Sequence, residues 1–155
     1  MSFLVSAAPR PTLSWVAARA NLFSARLSAF YQSMVPQSET PMAYTQKFQL
    51  LADAAMSQVQ GVLPAQVDDL LAKGAIALDV RDKEEHEVDH IAGSRHVSRG
   101  KLEMNIEGAI PGLDTVILCY CNAHNRGALS AVTLRGMGYT NARYIAGGLK
   151  AYRAL

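Results

Sequence analysis

The chain has 155 residues, half of them hydrophobic, and a formal net charge of +2. That length suits one domain of common size plus an extension, and the near-neutral balance gives no footing for a nucleic-acid-binding surface. Cys119 and Cys121 stand two positions apart, a spacing that an unstrained disulfide does not bridge on an extended chain; this places the chain in a reducing compartment and, without Cys/His clusters at ligand spacing, predicts no structural zinc site.

Residues 1–44 do not read as domain core. They are rich in Ser and Ala, broken by Pro9, Pro11, Pro36 and Pro41, and carry Arg10, Arg19 and Arg26 with no acid before Glu39. Leu13, Val16, Ala17, Ala20, Phe23, Leu27, Phe30 and Tyr31 mark one face of an amphipathic helix. Three readings fit this composition: a mitochondrial transit peptide, a dispensable extension ahead of Met42, or an interfacial membrane helix. No run of about 18 apolar residues is present, so no transmembrane segment is expected. The expected location is the cytoplasm, or the mitochondrial matrix if residues 1–41 are a transit peptide.

Residues 45–61 predict a leading amphipathic helix, patterned by Phe48, Leu51, Ala55, Met56 and Val59, packed on the domain's outside with a purely structural role. Residues 62–155 form the expected domain. A helix is predicted over 63–74, with Pro64 in its first turn and Gly74 as its stop, then an apolar strand over 75–80 interrupted only by Asp79. Asp79 and Arg81 flank the strand end and read as a structural ion pair. Residues 83–87 read as a short, charged, solvated helix, and His90 as a residue making a local hydrogen bond. Arg95, Arg99 and Lys101 read as surface charge, with the steering of anions as the alternative.

The chain is organised around residues 115–134. The β-branched run over 116–120 has the composition of a buried parallel strand, and Ala128, Leu129, Ala131, Val132 and Leu134 repeat at helical spacing. Cys121 lies where strand hands over to loop, at the position where open α/β sheets bind ligands. A helix N-terminus offers unpaired N–H groups and partial positive charge, and nearby cations add to it; His124 and Arg126 are the candidate neighbours. Asn122, Ala123, His124, Asn125 and Arg126 can turn their amides toward the sulfur as an anion-binding nest. Cys119, within the apolar run, reads as packing. Beyond this stretch a helix over 127–137 stops at Gly138, a strand follows over 142–145, and Gly147 and Gly148 lead into a last helix. The alternation predicts an α/β fold, a mainly parallel central sheet with helices on both faces.

These residues resemble the rhodanese-like sulfurtransferases. Cys121 to Arg126 has the C-x-x-x-x-R form of the family's active-site loop, and Asp79-Val80-Arg81 is similar to its D-V-R strand end. Glu85 followed by His90-Ile91-Ala92-Gly93 resembles its E-x-x-x-x-H-I-x-G segment; Gly138-Tyr139-Thr140-Asn141 and Gly147-Gly148-Leu149-Lys150-Ala151-Tyr152 resemble its closing elements. The resemblance covers about residues 62–155. Asp89, His86, Gly127, Tyr152 and His124 depart from the common pattern; His124 stands where Gly is frequent.

The resemblance implies a single-domain enzyme in which Cys121 is the nucleophile and becomes a persulfide. Residues Asn122, Ala123, His124, Asn125 and Arg126 would bind substrate, Arg126 either holding the donor anion or bracing the loop. The implied partners are a small anionic sulfur donor such as thiosulfate and a thiol or cyanide acceptor, with a protein sulfur acceptor as a further option; no metal or organic cofactor is implied. Two alternatives stand beside it. One is a sulfur-carrier or binding module without turnover. The other is a phosphatase or arsenate reductase, whose loop generally resembles C-x-x-x-x-x-R and encloses one residue more.

Overall fold

Short apolar runs form the strands, and every pairing between them is parallel. The computed structural model describes residues Tyr44–Leu155; the extension with its expected helix lies outside the described residues. In chain order come α1 (Gln46–Met56), β1 (Gly61–Val62), a 3-10 turn (Pro64–Gln66), α2 (Val67–Ala72), β2 (Ile76–Asp79) and α3 (Lys83–Val88). After them come β3 (Arg95–His96), a second 3-10 turn (Arg99–Lys101), α4 (Leu102–Ala109), β4 (Ile117–Tyr120), α5 (Asn125–Gly136), β5 (Ala142–Ile145) and α6 (Gly148–Arg153). The five strands lie in the order β1-β5-β4-β2-β3, an α/β sheet of the expected class.

β4 is the middle strand and all four of its residues are buried. It pairs on one side with β2, Leu78 opposite Cys119 and Asp79 opposite Tyr120, and on the other with β5, Ile117 opposite Ala142. The two-residue period of a strand sends alternate side chains to opposite faces. Ile117, Cys119 and Cys121 therefore join one core with Leu78, Val80, Leu102, Ile106 and Leu134, while Leu118 and Tyr120 join the other with Val62, Val67, Ile91 and Leu149. Each fully buried Leu or Ile stabilises the fold by about 1.5–3 kcal/mol, so these two layers hold the sheet in place.

Of the pattern expected for the leading helix, Leu51 is exposed and Val59 lies beyond its end; α1 buries Ala52 and Ala55. Three other differences from the sequence reading have local causes. The helix expected over 63–74 is a 3-10 turn followed by α2, since Pro64 starts a tight turn that Val67 re-enters as α-helix. β1 and β3 have two residues each, too few to show a period. α4 buries only Leu102 and Ile106, one residue per turn, which leaves a weak amphipathic signal. Among the described residues no helix is long and apolar enough to cross a membrane.

Candidate active site

The site forms beyond the carboxyl end of β4, where the chain leaves the sheet at Cys121 and re-enters regular structure at Asn125. Cys121 is 3% exposed. Among the described residues the backbone N–H groups of Asn122, Ala123, His124, Asn125, Arg126 and Gly127 donate to no protein acceptor; the first loop-to-helix bond runs from Ala128 N–H to His124 C=O at 2.8 Å. Cys121 thus leads into a turn of unspent donors ahead of the positive end of a twelve-residue helix.

Tight backbone contacts shape the turn. Gly127 lets α5 lie against the end of β4, because a Cβ there would come within 3.0 Å of Cys119 C=O. A side chain at this position would press on that carbonyl and need the strand end to give by a few tenths of an ångström. α6 arrives from the other side and spends its own first N–H groups on the loop, Leu149 N–H on Cys121 C=O at 2.8 Å and Lys150 N–H on Asn122 C=O at 3.1 Å. That approach needs Gly148, with φ +60° and a Cβ position that coincides with the carbonyl oxygens of Cys121 and Ala123.

Side chains from α3 and the segment that follows β2 hold the loop's outer edge. Glu85 accepts from Asn122 Nδ2 at 2.6 Å and from Arg126 at 2.9 and 3.2 Å, while its Oε2 also accepts from Asp82 N–H at 3.2 Å and so caps its own helix. These bonds hold the Glu85 carboxyl below its ordinary range, the Arg126 bond first, against the opposing effect of burial. Arg126 is held protonated in turn, chiefly by Glu85, with charge at Cys121 acting in the same direction.

Asn122 Oδ1 accepts from Arg81 Nη1 at 3.1 Å, which ties the loop to the segment that follows β2. Arg81 and Asp79 form the expected ion pair, at 2.6 Å and almost wholly buried. Asp79 also accepts from Arg81 N–H at 3.0 Å and from His86 Nδ1 at 3.0 Å. Burial raises the Asp79 carboxyl, but the Arg81 and His86 bonds together outweigh it and the net direction is down. His86 stacks between His90 and His96 with ring centres 4.1 and 4.7 Å apart. His90 donates through Nδ1 to His86 C=O at 2.8 Å, a local bond. Arg99 pairs with Glu103 at 3.0 Å and donates to Thr133 Oγ1 at 3.2 Å.

Of the loop residues singled out in the sequence, Asn122, Asn125 and Arg126 are each tied by a side-chain bond to another element, whereas Ala123 and His124 are half-buried without one among the described residues. Cys119 is fully buried, and burial pushes its thiol up; it is packing. Glu85 was expected only as part of a resemblance, not as part of the site. Its partners lie 37 and 41 positions away, so no local pattern announces it. A cleft of about 710 Å³ opens beside the loop, lined by Arg81, Glu85, Val88, Asn122, Leu149 and Lys150 among others. Among the described residues no group of three or more His, Cys, Asp or Glu side chains is placed to hold a metal ion.

Comparison with known proteins places the chain in a family. The family model of the rhodanese-like domain matches residues 63–155. The chain is 31% identical over 99 residues to the thiosulfate sulfurtransferase GlpE of Ectopseudomonas mendocina, covering 64% of this chain and 89% of that protein. Among solved structures, the human single-domain sulfurtransferase TSTD1 is 26% identical with a TM-score of 0.56 over 62% of this chain and 96% of that one. A Rhodopseudomonas palustris protein described as of unknown function and a possible tyrosine phosphatase is 29% identical with a TM-score of 0.61, over 74% and 94%. A central parallel sheet, a cysteine at its carboxyl edge and a matched family model over most of the described residues lead to one conclusion: the chain belongs to the rhodanese-like domain family.

Proposed function

We propose that this protein is a sulfurtransferase that carries sulfane sulfur on Cys121. The observation that supports the reading best is the turn over 122–127, whose N–H groups have no protein acceptor among the described residues and which follows a cysteine directly ahead of a helix N-terminus. Such a turn stabilises negative charge on sulfur before and after transfer. Relatives named as thiosulfate sulfurtransferases support the same chemistry.

In the first half-reaction the Cys121 thiolate attacks the outer sulfur of thiosulfate. The S–S bond of the donor breaks, sulfite leaves with the bonding pair, and Cys121 holds a persulfide whose terminal sulfur carries the charge. In the second, a thiolate or cyanide attacks that terminal sulfur, the persulfide S–S bond breaks, and the Cys121 thiolate returns. Arg126 braces the loop through Glu85 rather than meeting the donor as a free cation. The cleft beside Asn122 is far larger than thiosulfate needs and is the proposed approach for the acceptor.

Intact mass of the protein before and after thiosulfate tests the reading. The wild type and Cys119→Ser gain about one sulfur atom, Cys121→Ser gains none, and cyanide removes the gain. A wild type that gains nothing overturns the proposal. Sulfur loading that discharges only to a partner protein would make the chain a carrier. Aryl phosphate hydrolysis that disappears in Cys121→Ser would instead favour the phosphatase reading.

A further inference from the structure

α1 lies outside the segment that the family model matches, which starts at residue 63. It nevertheless reaches the loop. α1 packs along α5 through Ala52 and Ala55, and this packing brings Gln49 to the first turn of α5, where its Oε1 accepts from Asn125 Nδ2 at 3.2 Å. One turn further along α1, Asp53 Oδ1 accepts from Gln49 Nε2 at 2.8 Å.

The polarity of this relay has a single solution. An ionised carboxylate only accepts, so Asp53 holds the Gln49 amide with Nε2 toward itself and Oε1 toward Asn125. Asn125 must then present Nδ2 to α1, and its Oδ1 faces elsewhere. Asn125 is 4% exposed, and Oδ1 is a buried oxygen with no hydrogen-bond partner among the described residues. A buried acceptor left unpaired costs about 1–3 kcal/mol, and a side chain selected only for stability would avoid that cost. The orientation is imposed from α1 at the expense of the loop's own stability. Asn125 is also the residue at which the turn of free N–H groups becomes helix.

We propose that Gln49, oriented by Asp53, is a positioning residue for the Cys121 loop and acts through Asn125, so that α1 is a working part of the catalytic unit rather than an outer support. Glu85 fixes the loop at Asn122 and Arg126; Gln49 fixes it at Asn125, between those two tethers. The inference rests on the reading that the Cys121 loop is the sulfur-transfer site.

Two substitutions separate positioning from helix stability. Gln49→Leu keeps a good helix former and removes the acceptor for Asn125. Gln49→Glu keeps the acceptor and loses the bond to Asp53, placing two like charges four residues apart, which weakens a helix. Positioning predicts that Gln49→Leu lowers kcat/KM for thiosulfate about five- to tenfold, the scale of one hydrogen bond, while Gln49→Glu stays within about twofold of the wild type. Thermal stability does not separate the two roles, because Gln49→Leu also leaves the buried Asn125 Nδ2 without its acceptor. Amide hydrogen exchange over residues 121–127, which needs no turnover, is faster in Gln49→Leu and unchanged in Gln49→Glu. A Gln49→Leu protein with wild-type kcat/KM, a Gln49→Glu protein as impaired as Gln49→Leu, or unchanged exchange over 121–127 in Gln49→Leu overturns the inference. If the wild type transfers no sulfur, the site reading fails and the exchange comparison alone decides whether Gln49 positions the loop.

Discussion

Glu85 and Arg126, 41 positions apart, meet through two hydrogen bonds of 2.9 and 3.2 Å, and the same carboxylate takes Asn122 at 2.6 Å. One side chain on α3 therefore spans the mouth of the Cys121 loop. The loop's only guanidinium is thereby bound into a side-chain network with α3.

Glu85→Gln keeps the size of the side chain and removes the charge from its bonds to Asn122, Arg126 and Asp82. Charge-assisted hydrogen bonds contribute about 1.5–3 kcal/mol each in favourable settings, and the half-exposed site reduces that, so a roughly tenfold loss in kcat/KM for thiosulfate is expected. Steady-state kinetics also separates bracing from anion binding. If Arg126 were the donor's partner, its release from Glu85 would lower KM; bracing predicts that KM does not fall.

Acid should loosen the base of the site. The folded Asp79 carboxyl lies below its unfolded value, so it contributes stability above the unfolded pKa and loses that contribution as pH falls through the lower folded one. Glu85, shifted in the same direction, adds to the trend. Urea melts from pH 7 downward should show stability falling below about pH 4, the ordinary carboxylate range. Asp79→Asn should flatten that acid limb. It should also cost about 3–5 kcal/mol at pH 7, because it leaves Arg81 buried without its counter-charge. An unchanged limb in Asp79→Asn would remove this residue from the account.

Gly148→Ala tests the seam between α6 and the loop. A Cβ there meets the carbonyl oxygens of Cys121 and Ala123, and the φ of +60° is itself unfavourable for alanine. The strain alone is worth about 1–3 kcal/mol, and relief requires the loop to move. Expected are a lower Tm and a loss of thiosulfate turnover larger than the loss of stability explains. A fully active Gly148→Ala protein would show that the seam does not set loop geometry.

Cys119→Ser should keep sulfur loading and lose stability. The hydroxyl would be fully buried in an apolar cluster, at a cost of about 1–3 kcal/mol where no partner forms. Denaturant unfolding beside intact mass checks both halves. Loss of loading with stability intact would move the chemistry from Cys121 to Cys119.

The sequence by itself determined the alternation of strands and helices, the placing of Cys121 at a strand end and the Asp79–Arg81 pair, because each is written in near neighbours. Apolar runs, a two-residue alternation, glycine stops and charges flanking a strand act over a few positions, and composition reports them directly. Tertiary structure decided what surrounds the cysteine. Glu85 on Arg126, Gln49 on Asn125 and α6 on the carbonyls of Cys121 and Asn122 are contacts between segments that only the packing of the sheet brings together. β1 and β3 likewise exist through their neighbours, since two residues hold a strand conformation only when a longer strand beside them supplies the hydrogen bonds. Local order follows from local free energy and leaves a periodic trace; a hydrogen bond across 41 or 76 positions leaves none, because its geometry depends on every layer packed between its ends.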